Sequence, residues 1–208
     1  MKKYLVNEIF GPTLQGEGAR AGTPNIWVRF AECNLTCSAD GEAGFDCDTN
    51  FSGGERMDAD ELLARTIALA GPVQSVVFSG GEPALQLDEE LIDAFQSAGF
   101  MVAVETNGTR PLPSIIDWLS VSPKTAEHTL RVLSGKDAKV MVDELRYVRA
   151  IGQAIPAPCL QARYYYISPA FESDGSLKRE TLDHCVGLVL ANPKWRLSVQ
   201  AHKLWRIR

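Results

Sequence analysis

The chain has 208 residues, 45% of them hydrophobic, enough for one substantial core and an expected single domain spanning 1–208. Its 21 Lys and Arg against 26 Asp and Glu leave a formal charge of −5, which excludes a global basic field for holding nucleic acid by its phosphates. No apolar run approaches a membrane span, no signal-peptide pattern follows Met-Lys-Lys-Tyr, and five cysteines without a framework of spacings point to a reducing compartment. The expectation is a cytoplasmic protein bound to neither membrane nor nucleic acid.

A strand is expected near Tyr4–Phe10, a Gly-rich loop from Gly11 to Gly22, and a strand at Ile26–Phe30. A cysteine-bearing loop follows, covering about 31–56. Asp58 predicts an N-cap, with Glu61 completing a capping box, so Glu61–Ala70 reads as a helix that Gly71-Pro72 stops. The apolar run Ser75–Phe78 is bounded by Gly80-Gly81, and a helix is expected near Asp88–Ala98. Shorter apolar runs occupy Phe100–Val104, Trp118–Val121, Lys139–Val142 and Tyr164–Ile167. A late helix spans roughly Lys178–Ala191, and Arg196–Val199 closes the series.

Apolar runs alternating with helical stretches predict an α/β fold, a mainly parallel sheet covered by helices. In such folds chemistry sits in the loops at the carboxyl ends of the strands. Here those loops read Ser79-Gly80-Gly81-Glu82-Pro83, Glu105-Thr106-Asn107-Gly108, Ser122-Pro123-Lys124 and Gln200-Ala201-His202, and four in register predict one shared pocket.

Cys33, Cys37 and Cys47 crowd into one loop, while Cys159 and Cys185 stand apart. Inert buried thiols are one reading, though a loop rich in Gly, Asp and Asn buries poorly. A zinc site completed by His128, His184 or His202 is another. The third is a four-iron cluster on three thiolates, with one iron open to a ligand. After the next strand, Gly80 and Gly81 could bring backbone N–H groups close to a carboxylate or phosphate, and Glu82 could accept from an ammonium. Together these would suit an amino acid zwitterion.

A three-cysteine loop followed by Gly-Gly-Glu-Pro resembles the radical S-adenosylmethionine enzymes. Across nearly the whole chain, Asn7-Glu8-Ile9-Phe10, Leu14-Gln15-Gly16-Glu17-Gly18, Arg29-Phe30, Cys47-Asp48-Thr49, Glu105-Thr106-Asn107-Gly108-Thr109, Val121-Ser122-Pro123-Lys124 and Trp195 to Lys203 are similar to the 7-carboxy-7-deazaguanine synthase family. The resemblance implies a modified, partly open (β/α) barrel. It implies contraction of 6-carboxy-5,6,7,8-tetrahydropterin to 7-carboxy-7-deazaguanine with loss of ammonia, a lyase reaction feeding queuosine and other deazapurines. The implied cofactors are a [4Fe–4S] cluster, S-adenosyl-L-methionine and Mg²⁺. The implied partners are a second copy in a homodimer and an electron-donor protein such as flavodoxin or ferredoxin.

Residue by residue, the resemblance puts the cluster on Cys33, Cys37 and Cys47 and Mg²⁺ on Thr49. It puts substrate against Leu14, Gln15, Gly16, Glu17, Arg29, Ser79, His202 and Arg208. S-Adenosylmethionine would meet Asp46, Asp48, Gly81, Glu82, Glu105, Asn107, Ser122, Pro123 and Lys124, and later Ser168, Pro169, Ala170 and Phe171. A planar carboxylated pterin suits the Arg29 fork, and one neutral hydroxyl at Thr49 needs the substrate carboxylate to complete a Mg²⁺ site. Each residue has a plainer reading: Arg29 a surface cation, Glu17 a solvated charge, Thr49 a cap, Ser122-Pro123-Lys124 a turn, and the tail from His202 a basic patch.

Nine residues, Ser38 to Asp46, separate Cys37 from Cys47, where the superfamily usually has two. The usual aromatic before the last cysteine is Asp46 here, with Phe45 one place earlier, and Ser168-Pro169 stands where Gln-Pro is commoner. The excursion is expected to cover the active site rather than to dock a reductase. Two other functions fit parts of the pattern: a glycyl-radical-enzyme activase acting on a protein, and a zinc-stabilised binding module.

Overall fold

A computed structural model describes residues 2–47, 49–134 and 141–207. The strands are β1 (Tyr4–Leu14), β2 (Pro24–Phe30), β3 (Glu55–Met57), β4 (Ser75–Gly80), β5 (Met101–Thr106), β6 (Trp118–Val121), β7 (Val142–Arg149), β8 (Ala162–Pro169) and β9 (Arg196–Leu197). The helices are α1 (Ala59–Ala70), α2 (Glu89–Ser97), α3 (Arg179–Ala191) and α4 (Ala201–Trp205). Among the described residues these strands form one sheet, ordered β3-β1-β2-β4-β5-β6-β7-β8-β9. From β2 through β4 to β9 every pairing is parallel, while β1 runs antiparallel to β2 and β3. The two ends do not pair, so the architecture is the partly open, mainly parallel α/β barrel expected.

Alternation along each strand divides the labour between the faces. Outward, Val28, Phe30, Val76, Phe78, Val102 and Val104 pack with Leu62 of α1 and Phe95 of α2 in the main core. Burying a side chain of this size is worth roughly 1.5–3 kcal/mol, so the helical face carries the stability. Inward, the intervening positions are Trp27, Arg29, Val77, Ser79, Ala103 and Glu105. A small apolar floor of Phe10, Trp27, Val77 and Ala103 supports them. The ladder sets Arg29 beside Ser79, Ser120 between Glu105 and Glu144, and Val148 beside Ser168.

The Asp58 cap holds as expected, and Asp88 caps the next helix in the same way. Asp58 accepts from the Glu61 amide at 3.0 Å and Asp88 from the Leu91 amide at 3.1 Å. Tyr4 donates to Asp88 at 2.8 Å, fastening β1 to the start of α2. Gly71, at φ +54°, closes α1. No helix among the described residues is long and apolar enough to cross a membrane.

Three expectations needed correction. β1 does not end at Phe10; an irregularity between Phe10 and Thr13 absorbs Gly11-Pro12, and pairing resumes at Thr13 with Asn25. The strand expected at Lys139–Val142 is β7, beginning at Val142, and residues 135–140 lie outside the described part. An apolar-run reading stopped at the start of β7 because its inner face carries charge, Glu144 and Arg146, while Leu145 and Tyr147 face the core. The tail after β9, read as a basic stretch at the pocket with no helix expected, forms α4.

Candidate active site

The strand ends and the cysteine loop enclose a cavity of about 380 Å³. Of the expected residues, Leu14, Gln15, Gly16, Glu17, Arg29, Ser79 and His202 line it, as do Asp46, Gly81, Glu105, Asn107, Ser122, Lys124 and Ser168–Phe171. Cys33, Cys37, Cys47 and Thr49 share the same wall. Asp48 and Arg208 lie outside the described residues.

The cysteine loop is strapped to the barrel at several points. Asn107 donates to the Asn34 side chain at 3.1 Å, and Asn34 donates to Thr109 at 2.8 Å, tying the loop beside Cys33 to the end of β5. The Gly81 amide donates to the Phe30 carbonyl and the Glu82 amide to the Glu32 carbonyl, both at 2.9 Å. This corrects the role given to the two glycines: the Gly81 amide ties strand ends together and the Gly80 amide donates to the Ser79 hydroxyl at 2.6 Å, instead of pointing at a ligand. A Cβ on Gly81 would lie 1.8 Å from the Glu32 carbonyl oxygen, so closeness of backbone is what the position demands.

Glu82 is corrected too. It is wholly buried and does not line the cavity; its carboxylate accepts from Thr106 at 2.5 Å, Asn107 at 2.7 Å and Ala84 at 2.9 Å. With those donors engaged, it braces β4 against β5 instead of meeting an ammonium. Pro123 likewise stands outside the lining, between Ser122 and Lys124, which belong to it.

Burial holds the Glu82 carboxyl above its unfolded value of 4.5, against the opposing hydrogen bond from Thr106. Between the two values the folded state binds more protons, so this group's contribution is fullest below the unfolded value and fades as pH rises through the folded one. Glu82→Gln should therefore flatten part of the decline of the urea midpoint with rising pH. Identical pH dependence in both proteins would refute the assignment.

The three thiols are free. Burial raises the Cys33 and Cys37 thiols; the charges of Glu82 and Cys47 raise Cys33 further, and for Cys37 Lys124 opposes while Cys47 and Cys33 add to the rise. Thiols that feel one another on one cavity wall fit a polynuclear cluster, whose binding would displace their protons. Among the described residues no three His, Cys, Asp or Glu gather closely enough for a single ion. His128 is exposed, His184 is bonded to the Gln153 carbonyl at 2.9 Å, and neither lines the cavity, which leaves the zinc alternative with His202 alone.

The excursion between Cys37 and Cys47 reaches across the barrel mouth. Glu42 accepts from the Ala126 amide at 2.6 Å, and Gln153 donates to the Ala43 carbonyl at 3.1 Å. Asp46 turns back to accept from the Ala39 amide at 2.9 Å. Phe45 lines the cavity under the Lys124 ammonium, 5.6 Å from the ring centroid, so an aromatic face is present one residue earlier than usual.

At the opposite end α4 folds over the loop after β1. Ala201 donates to the Gly16 carbonyl at 2.9 Å, and His202 lies so close to Gly16 that a Cβ there would meet its ring at 2.0 Å. The basic tail is thus part of the cavity wall. Gln15 donates to Glu105 at 2.9 Å and accepts from the Glu17 amide at 3.1 Å. Two charged residues here escaped sequence reasoning: Arg146 in the lining and Glu144 beneath it, both on β7. Their signal was a polar alternation, Glu144-Leu145-Arg146-Tyr147, in a strand otherwise judged by apolar runs.

No protein-family profile matches the chain. It is 40% identical over 204 residues to the 7-carboxy-7-deazaguanine synthase of Bacteroides thetaiotaomicron, covering 98% of each chain. It is 39% identical over 218 residues to the synthase of Burkholderia multivorans, covering 98% of this chain and 99% of that one. The crystal structure of QueE from Escherichia coli superposes with a TM-score of 0.66 at 23% identity, covering 96% of this chain and 95% of that one, which supports the fold.

Proposed function

The chain belongs to the 7-carboxy-7-deazaguanine synthase family, and from that membership we propose how its cavity serves the reaction. The substrate is 6-carboxy-5,6,7,8-tetrahydropterin and the product 7-carboxy-7-deazaguanine, with ammonia released, a carbon–nitrogen lyase step. The observation that carries this reading is that one cavity is lined both by three thiols with Gly81, Ser122 and Lys124 and by Gln15, Glu17, Arg29 and His202, which we assign to a cofactor end and a substrate end.

When bound, the [4Fe–4S] cluster and S-adenosylmethionine supply the one-electron cleavage that yields a hydrogen-abstracting radical. Cys33, Cys37 and Cys47 would hold the cluster. Ser122, Lys124 and the Phe45 ring would seat the nucleoside and methionine, the ring offering a stacking face. Arg29 would grip the substrate carboxylate, and Gln15, Glu17 and His202 the heterocycle. Thr49, with that carboxylate, would offer oxygens to Mg²⁺. One domain would carry all of this in the cytoplasm, as a homodimer reduced by a flavodoxin or ferredoxin.

The experiment is anaerobic cluster reconstitution followed by S-adenosylmethionine, dithionite, Mg²⁺ and the pterin, reading ammonia and the deazaguanine by mass. Product confirms the reaction. 5′-Deoxyadenosine without product, on an intact cluster, would redirect attention to a protein substrate.

The excursion's contacts to Ala126 and Gln153 support a covering role. Deleting Ser38–Gly44, which restores the usual two-residue gap, should cut turnover about tenfold or more with dithionite as reductant, since the cofactor end then opens to water. Full activity with dithionite and loss only with a protein reductant would show a docking loop instead.

A further inference from the structure

Beneath the substrate end of the cavity stands a buried cation that makes no part of the assignments above. Arg146, on the inner face of β7, has a side chain only 4% exposed. It reaches carboxylates from three elements: Glu17 at 3.5 Å, Glu105 at 3.4 Å and Glu144 at 3.4 Å. Glu17 and Glu105 face the cavity; Glu144 lies behind them. Arg20, whose guanidinium also feels the charges of Glu105 and Glu144, is itself bonded to Asn25 and Ser75.

We propose that Arg146 is a positioning residue for the pterin: anchored by Glu144, its guanidinium sets the Glu17 carboxylate at the substrate end of the cavity. The inference rests on the function argued above.

The loop after β1 is built to rest on this pair. Glu144 accepts from the Ala19 amide at 2.9 Å. Gly18, at φ +70°, passes so close that a Cβ would lie 2.1 Å from the Glu144 carboxylate. Glu144 therefore fixes the height of the loop, and Arg146 fixes the carboxylate at its tip. Through Gln15, which bonds to both the Glu17 amide and the Glu105 carboxylate, the two acids form one unit.

The contact lengths matter as well. Charge-assisted N–H···O bonds are usually about 2.7–2.9 Å. Arg146 is instead spread between three carboxylates at 3.4–3.5 Å, and neither its Nη1 nor the Glu144 Oε1 has a hydrogen-bond partner. A buried ion cluster chosen for stability alone would close those bonds, because an unsatisfied buried donor is costly. The arrangement leaves the two cavity-facing acids held yet movable, with an excess of acceptors for a heterocycle whose amino and ring N–H groups are donors.

The test uses the cluster-loaded enzyme with Arg146→Lys, Glu144→Gln, Glu17→Gln and the double variant Arg146→Lys/Glu17→Gln. Lysine keeps the charge but cannot fork. Iron content of Arg146→Lys and Glu144→Gln should stay within about twofold of wild type. The pterin KM, and its Kd by quenching of Trp fluorescence, should rise about tenfold or more in Arg146→Lys, in line with one weakened charge-assisted bond. The double variant should lose little more than the worse single, because both changes disable one unit.

Unchanged KM in folded Arg146→Lys, or multiplicative losses in the double variant, would overturn the proposal. Should Arg146→Lys fail to fold, Glu144→Gln decides: its amide can still accept from Ala19 but no longer anchors the guanidinium, so an unchanged pterin Kd sinks the idea. Failure of wild-type turnover would instead refute the functional reading.

Discussion

Gly81→Ala should abolish cluster loading while Gly187→Ala, the same chemical change in α3, leaves it intact. A Cβ on Gly81 would meet the Glu32 carbonyl oxygen at 1.8 Å, its carbon at 2.4 Å and the Cys33 amide nitrogen at 3.0 Å. All three are backbone atoms, so no side chain can swing aside. The clash can be relieved only by pushing the end of β4 away from the loop that carries Cys33, breaking the Gly81–Phe30 and Glu82–Glu32 hydrogen bonds. Overpacking in a well-packed interior costs about 1–3 kcal/mol, and two lost backbone hydrogen bonds add to it. Nothing lies within 4 Å of a Cβ on Gly187, and alanine is the better helix former by roughly 1 kcal/mol. Iron per chain after anaerobic reconstitution, read beside the thermal midpoint, separates the cases. Wild-type iron content in Gly81→Ala would mean that this strand contact does not position Cys33.

How far the sequence foretold this site depends on what kind of signal each residue gave. Apolar runs marked β2, β4, β5, β6 and β8 because strands of a covered parallel sheet are apolar on the core face, and the polar tails then located the cavity. Cys33, Cys37 and Cys47 were legible from spacing alone, since three thiols in a polar loop have few structural uses. Two kinds of residue resisted. Glu82 looked like a ligand group because its motif places it beside the cavity, yet its direction, toward Thr106 and Asn107, depends on backbone contacts between distant segments. Arg146 and Glu144 were passed over because charge in a strand ordinarily signals solvent, and only the curvature of the sheet turns that face into a lined interior. The partners of the excursion, Ala126 and Gln153, come from loops far along the chain, and no local pattern announces them.

Arg29→Met should weaken pterin binding about a hundredfold, and the loss should depend on the pterin's carboxylate. Arg29 projects inward from β2 beside Ser79, stands over the Phe10 ring at 5.0 Å, and uses Nη1 to bond Glu8 at 2.9 Å. Glu8 thereby sets the plane of the guanidinium. Its Nε is buried without a hydrogen-bond partner, an orphaned donor that costs roughly 1–3 kcal/mol until something accepts from it. A carboxylate accepting from the free edge would satisfy it with charge-assisted bonds, each worth about 1.5–3 kcal/mol, hence the factor of about a hundred. Methionine keeps the stem's bulk against Phe10 and removes the charge, while lysine restores charge without the fork and should recover only part of the loss. The decisive comparison is between 6-carboxytetrahydropterin and tetrahydropterin lacking the carboxylate, the second bound as a competitive inhibitor. Arg29→Met should collapse the affinity difference between them, because only the carboxylated ligand has something to lose. Equal losses for both ligands would instead make Arg29 a support for Phe10 and the cavity floor, and would leave the carboxylate to be held elsewhere on the cavity wall.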